Sequence, residues 1–288
     1  MITAPFEYES PTTIEEAVRL LSRTPDAKVL AGGHSLLPLM KLGLAQPEAL
    51  IDIGRIKVLR EIKVDSDAII VGALATHQAI ADNPAIRERL TALAEAAGSV
   101  GDLQVRARGT IGGSLAHADP AADEPAPTLA FGATLMAIGP ARERTIAATD
   151  FFKDTFETAL KPGEILTAIR IPLPPARSGS AYEHFQHPAS RFAVVGVAAA
   201  VTLGADGTIA RAMIAVTGAA SSPFRAMSAE RALQGTRADS AAIAKAAQQS
   251  AENVKALADL TASAEFRSYL ITLYTRRALE RAIERART

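Results

Sequence analysis

Apolar residues recur along this chain at two spacings, and the switches between them outline its elements. In "SPTTIEEAVRLLSRTPDA" Ile14, Ala17, Val18 and Leu21 fall three or four apart, which predicts a helix. Thr12 or Thr13 is its N-cap, and Glu15 and Glu16 sit at its positive end. "AKVLAGG" reads as a short buried strand and "ALIDI" as a second, so the opening is β-α-β. Leu59, Ile62 and Val64 then predict a strand, Asp65 to Asp67 a tight turn, and "AIIVGA" the returning strand. Thr76 caps a helix in "THQAIAD", and "AIRERLTALAEAAGSV" predicts one longer helix. "PAPTLAFGATLMAIGP" and "ERTIAATDFF" predict two strands around a Gly-Pro turn, and "GEILTAIRIPLPP" another that its prolines stop. "PLPPARSGS", residues 172–180, reads as a linker. After it, "FAVVGVAAAVTL" and "IARAMIAVTGA" form a hairpin, and from about Ser228 the pattern is helical, through "SAAIAKAAQQSAENVKAL" and the final Arg-rich stretch.

Composition narrows what such a chain can do. Lys plus Arg and Asp plus Glu balance at 31 each, so there is no basic field to gather nucleic acid. Aromatics are 5% and Trp is absent, which argues against stacking platforms for single strands. Without cysteine the chain can form no disulfide, thiolate metal site or all-Cys iron–sulphur cluster. No apolar run has membrane-spanning length and "MITAPFEYESPTTIEEA" lacks a signal-peptide design, so the expected location is cytoplasmic.

Two breaks interrupt the apolar pattern: "LAGGHSLLPLM" at residues 30–40 and "GTIGGSLAHADP" at residues 109–120. Each puts Gly-Gly before a small polar residue and then resumes apolar sequence. Glycine turns alone explain either one. The other reading is a ligand: consecutive N–H groups in such turns form nests for phosphate oxygens, and two facing turns would clamp a pyrophosphate from both sides. Neither G-x-G-x-x-G nor G-x-x-x-x-G-K-[ST] is present, so the Rossmann and Walker solutions are absent.

Both glycine motifs, in this order, together with "VGALATHQAI" and "GEILTAIRIP", resemble the FAD-binding medium subunit of molybdenum hydroxylases. The resemblance is to the aerobic carbon monoxide dehydrogenase type, and more distantly to xanthine-oxidase-type flavin domains. It implies an α+β fold: two α/β subdomains at 1–54 and 55–176, of vanillyl-alcohol-oxidase type, then a C-terminal antiparallel sheet with helices at 177–288. It implies FAD between the first two units. Ala31, Gly32, Gly33, His34, Ser35 and Leu36 would hold it from one side, and Thr110, Ile111, Gly112, Gly113 and Ser114 from the other. Thr76, Asp123, Leu166 and Phe192 complete the implied set, with Asp123 an acceptor for ribityl or ribose hydroxyls. The family usually has Asn at position 114, and Asp where Arg191 precedes Phe192.

The resemblance also implies partners: a large molybdopterin subunit and a small subunit with [2Fe-2S] clusters, joined as a dimer of heterotrimers. It allows peripheral contact with a membrane electron acceptor. No catalytic acid or base and no metal ligand is assigned to this chain. His117, Asp119, Asp123 and Glu124 lie close in sequence, but their spacing fits no named metal loop. His34 is expected to support phosphate and His77 to line the flavin pocket. Arg276, Arg277, Arg281, Arg285 and Arg287 read as a solvated face or a dock for an acidic partner, and Leu270, Leu273, Tyr274 and Ala278 as core packing first and a partner interface second. A stand-alone FAD oxidoreductase and an accessory module without cofactor remain the alternatives.

Overall fold

Three sheets of three or more strands organise the chain, and the computed structural model describes residues 2–288. The first sheet comes from β1 (Glu7–Glu9), α1 (Ile14–Arg23), β2 (Lys28–Leu30), α2 (Leu36–Lys41) and β3 (Ala49–Asp52). Its strands are parallel in the order β1-β3-β2. Thr13 is the cap of α1: its hydroxyl accepts the Glu16 N–H at 3.2 Å, and the Glu16 carboxylate accepts the Thr12 N–H in return. Ala17 and Val18 bury that helix in a core with Ile51 and Ile53. The short strand β2 is not buried as its apolar sequence predicts; it is partly exposed because it borders a cleft. The exposed "EYE" strand β1 carries no apolar alternation and was invisible to patterning.

The second sheet is antiparallel, in the order β4-β5-β10-β6-β7. Chain order runs β4 (Ile62–Val64), β5 (Ala68–Gly72), α3 (His77–Asp82), α4 (Pro84–Arg89), α5 (Thr91–Ser99), α6 (Leu103–Arg108), α7 (Ile111–His117) and α8 (Pro125–Ala130). It continues through β6 (Thr134–Ile138), β7 (Glu143–Ala147), α9 (Ala148–Phe151), the small ribbon β8 (Phe152–Asp154) and β9 (Glu157–Thr158), and β10 (Ile165–Pro172). Ile69, Leu135 and Ile169 from the sheet meet Ile80, Leu93, Ile111 and Leu115 from the helices in one core.

Several predicted elements change here. Leu59 lies in a 3-10 turn, Lys57–Arg60, not in the strand. The single long helix is two, α4 and α5, broken at Leu90 with φ −127° and ψ 48°. Leu90 stays fully buried through the break, so apolar spacing could not reveal it. "PAPTLA" is helical rather than extended, with Pro125 at its first turn where a missing N–H costs nothing. The second Gly-Gly is no turn: Gly112 and Gly113 lie inside α7, which Thr110 caps.

The third sheet is β11 (Ser178–Gln186), β12 (Ala193–Leu203), β13 (Ile209–Thr217) and β14 (Phe224–Arg225), antiparallel in that order. The connection between the second and third sheets is shorter than residues 172–180: β10 ends at Pro172, and β11 already begins at Ser178. α10 (Met227–Leu233) and α11 (Ser240–Gln249) precede the long α12 (Ala264–Arg287), which packs on β11 and β12. Leu270, Tyr274 and Ala278 are buried on that face, with Leu273 partly so. α11 stops at Gln249, short of the predicted "SAENVKAL" extension.

Arg281, Arg285 and Arg287 tie α12 to its neighbours, whereas Arg276 and Arg277 stay on its exposed face as expected. Glu95 on α5 accepts from Arg281 at 2.6 Å and from Arg285 at 2.7 Å through Oε1, and from the Tyr182 N–H at 2.8 Å through Oε2. Arg281 also pairs with Glu183, Arg285 donates to the Ser180 carbonyl, and Arg287 donates to the Ala238 carbonyl. Arg276 pairs with Glu280, and Arg277 lies over the Tyr274 ring. Glu95→Ala removes the acceptor of Tyr182 and the shared partner of two guanidinium groups. Allowing for solvent screening at the half-exposed arginines, the expected cost is about 2 kcal/mol. Calorimetric unfolding should show a midpoint several degrees lower; an unchanged midpoint contradicts this account of the junction.

Candidate functional site

A cleft of about 730 Å³ runs between the β2–α2 loop, the start of α7, the end of β10 and the β11–β12 loop. Of the predicted site residues, all but Thr76 and Ile111 line it. Ile111 is buried in the core and its N–H donates to the Ala75 carbonyl. Thr76 caps α3, accepting the Ala79 N–H at 3.1 Å, and bridges backbone-to-backbone with Thr110. Both hold the second glycine segment in place from behind.

The glycines serve mainly to let backbones touch. A Cβ on Gly32 would run into the Arg108 carbonyl oxygen and lie 2.9 Å from Gly109 Cα. One on Gly112 would lie 2.5 Å from Ala73 Cβ, and one on Gly109 would lie 2.6 Å from His77 Nε2. Gly33 differs: its φ of +78° is left-handed, the conformation that turns the chain from β2 into α2.

The two segments offer different chemistry. The N–H groups of Gly32, Gly33, His34, Ser35 and Leu36 have no protein acceptor among the described residues, and α2 starts without a side-chain cap. Five successive free donors along a cleft make a nest for an anion. The His34 ring bonds the Gly32 carbonyl at 3.0 Å and stabilises that loop. Across the cleft the amides are spent: Ile111 donates to Ala75, Gly112 to Ala73, Gly113 to the Thr110 hydroxyl, and Ser114 to the Thr110 carbonyl. The expectation that both segments present backbone donors is therefore corrected. The second segment has side chains to give, and the Ser114 hydroxyl makes no bond among the described residues.

Two carboxylates at the base of the cleft point opposite ways. Asp123 Oδ1 accepts from the Tyr182 hydroxyl at 2.6 Å and from His184 Nδ1 at 2.8 Å, both on β11. Its Oδ2 has no protein partner among the described residues, and Asp123 lines the cleft. Burial, and then the Asp123 charge, push the Tyr182 hydroxyl well above the usual phenol range. Tyr182 itself needs Gly196, the cross-strand partner of His184, where any Cβ would collide with the Tyr182 hydroxyl. Glu124, fully buried, points away to His77 Nδ1 at 2.8 Å, and its Oε2 has no partner among the described residues. Burial lowers the His77 imidazole, but the Glu124 charge and hydrogen bond outweigh it and hold the ring above its ordinary range. His117 goes the other way, lowered by burial, and packs on Phe156 at 4.9 Å. Tyr182, His184 and the His77–Glu124 pair were not assembled from sequence, since partners 47 to 61 residues apart leave no local signal.

At the mouth, Phe192 is 48% exposed and Arg191 has φ +62°. Their loop is closed by His187 N–H to the Phe192 carbonyl at 2.8 Å and Arg191 N–H to the His187 carbonyl at 2.9 Å. Leu166 on β10 is buried against the same cleft.

Residues 4–174 match the family described as FAD binding domain in molybdopterin dehydrogenase, and residues 180–282 the CO dehydrogenase flavoprotein C-terminal domain. The chain is 37% identical to the carbon monoxide dehydrogenase medium chain of Afipia carboxidovorans, over 100% of both. It is 36% identical to the 6-hydroxypseudooxynicotine dehydrogenase complex subunit alpha of Paenarthrobacter nicotinovorans, over 98% of this chain and 96% of that one. Among solved structures, a carbon monoxide dehydrogenase from Hydrogenophaga pseudoflava, described as lacking the Mo-pyranopterin moiety, aligns with a TM-score of 0.95 and 40% identity over 99% of each chain.

Gly32→Ala forces a methyl group into the Arg108 carbonyl and should part the two glycine segments, at about 1–3 kcal/mol. Thermal midpoint and flavin retained after gel filtration should both fall. Gly43→Ala carries only the strain of φ +74° in open space and should lower the midpoint slightly with flavin retained. Equal flavin loss in both variants contradicts the close-approach role of Gly32.

Proposed function

This chain belongs to the FAD-binding medium-subunit family of carbon monoxide dehydrogenase-type molybdenum hydroxylases, and from that premise we propose that it is the electron-transfer subunit of such a complex. The observation that carries the reading is the run of free amides from Gly32 to Leu36 along a cleft large enough for a dinucleotide. These residues fit FAD. Ala31 to Leu36 would hold the diphosphate, and the Thr110 and Ser114 hydroxyls would meet it from the facing side. Asp123 would take ribityl or ribose hydroxyls on Oδ2, while Tyr182 and His184 keep that carboxylate aimed. Leu166 and Phe192 would flank the ring system. FAD, when bound, supplies a carrier that takes two electrons and releases them singly or together; the chain supplies binding, orientation and electrostatics.

The rest of the proposal follows from what this chain lacks and resembles. Without cysteine it holds no all-Cys cluster, so the [2Fe-2S] clusters and the molybdopterin belong on a small and a large partner subunit. We place this chain between the iron–sulphur subunit and an external acceptor, in a cytoplasmic dimer of heterotrimers able to meet membrane acceptors at its surface. The three units 1–54, 55–176 and 177–288 are part of the same reading. No helix of the described residues is long and apolar enough to cross a membrane.

The purified protein should be yellow, with flavin absorbance near ~450 nm. A colourless chain that cannot be reconstituted, even with its partner subunits present, overturns the reading. Ser114→Asn should retain FAD equally or more tightly, as measured by dissociation during dialysis. Arg191→Asp exchanges a cation for an anion at the cleft mouth and should lower the flavin reduction potential, because an anionic reduced state is then less favoured. A potential that does not move removes Arg191 from the tuning of the site.

A further inference from the structure

His77 stands out among the ionisable groups of the cleft. Of the other basic side chains that line it, Lys28, His34 and Arg191 are exposed and His117 is half-buried, whereas His77 is 5% exposed. Its position is fixed from three sides. Its N–H donates to the Gly109 carbonyl at 3.1 Å, and its Nδ1 bonds Glu124 Oε1 at 2.8 Å. Its Nε2 edge lies against Gly109, where a Cβ would approach to 2.6 Å. Gly109 is also the residue on which Gly32 closes. The imidazole therefore sits behind the strip where the two glycine segments meet.

That strip has an electrostatic gap. The loop from Gly32 to Leu36 presents free donors, but the amides from Ile111 to Ser114 are all bonded within the protein. An anion in the cleft meets backbone donors on one side only. Behind the other side, the fully buried Glu124 carboxylate spends one oxygen on His77 and leaves the second unpartnered. Such a carboxylate is tolerable chiefly beside a positive charge.

We propose that His77 is a positioning cation for the diphosphate of the bound dinucleotide, held in place by Glu124 behind the glycine segment that has no free amide. The proposal rests on the reading that the cleft takes FAD through residues 32–36. Glu124 and Asp123 favour protonation of the ring and Arg106 on α6 opposes it; of the other helices packed on α3, α4 carries Arg87, Glu88 and Arg89, and α5 carries Glu95, which Arg281, Arg285 and the Tyr182 N–H engage. The imidazole is charged below its raised folded value and neutral above it, so the attraction is present at lower pH and lost as pH rises through that value.

The test uses the full chain stripped of flavin and titrated with FAD, ADP and riboflavin between about pH 6 and about pH 9. Affinity for FAD and ADP should fall as pH rises, and that for riboflavin, which has no phosphate, should stay flat. His77→Gln should lose about tenfold in FAD affinity at the low end, the scale of one hydrogen bond to a charged group, and lose the pH slope. Glu124→Gln, which keeps the imidazole, should move the fall to lower pH. If His77→Gln binds FAD with wild-type affinity and slope, or riboflavin shows the same slope, the proposal is overturned while the cofactor reading stands. If the wild-type chain binds no FAD at any pH, both fall.

Discussion

The absent side chain at Gly32 lets the β2–α2 loop rest on the backbone of Arg108 and Gly109, and the rest of the site depends on that contact. It brings a loop of the parallel sheet against a helix start from the antiparallel one. The cleft is the space left beside it. Backbone approach of this kind has no flexible partner that can yield, because a carbonyl oxygen and a Cα are fixed by their own elements. Gly109 and Gly112 extend the same logic inward, to His77 and Ala73. The glycines that look like a phosphate signature are thus first a packing signature, and free backbone donors are added at Gly33 and the four amides around it.

That addition is lopsided. One wall presents unpaired N–H groups, and the other closes its own amides on Ala73, Ala75 and Thr110. The second wall is correspondingly rigid: Thr110 caps α7, bridges to Thr76, and takes the Gly113 N–H. A compliant donor loop facing a fixed wall suits a ligand whose charge lies at its middle. Asp123 and Glu124 sit at the base, one turned to β11 and the other to α3. Through Tyr182 and His184 the C-terminal sheet sets the direction of Asp123, and through Glu95 the arginines of α12 hold that sheet against α5. The C-terminal region in this way sets the geometry of the cleft without lining most of it.

The strongly periodic elements were legible in the sequence: α1 with its Thr13 cap, the β4–β5 and β12–β13 hairpins, and the core stripe of α12. Two kinds of element were not. β1 and β11 are strands with little apolar alternation: β1 is placed by pairing with β3 some forty residues away, and β11 by a hairpin onto β12. The break at Leu90 and the helical start at Thr110 preserve burial while changing backbone direction, which hydrophobic spacing does not register. At the site, local motifs pointed to the cleft-lining residues well, because Gly-Gly followed by a small polar residue is a local pattern. The pairs His77–Glu124 and Asp123–His184 depend on tertiary contact and left only the adjacent acids of "ADE" as a trace.

Amide hydrogen exchange, compared between the flavin-free and FAD-loaded chain, tests the central claim most directly. The account predicts that Gly33, His34, Ser35 and Leu36 exchange fast without FAD and slow sharply with it. Ile111, Gly112 and Ser114, already bonded within the protein, should be protected in both states. Exchange at Gly33 to Leu36 that is equally fast with FAD bound would contradict it.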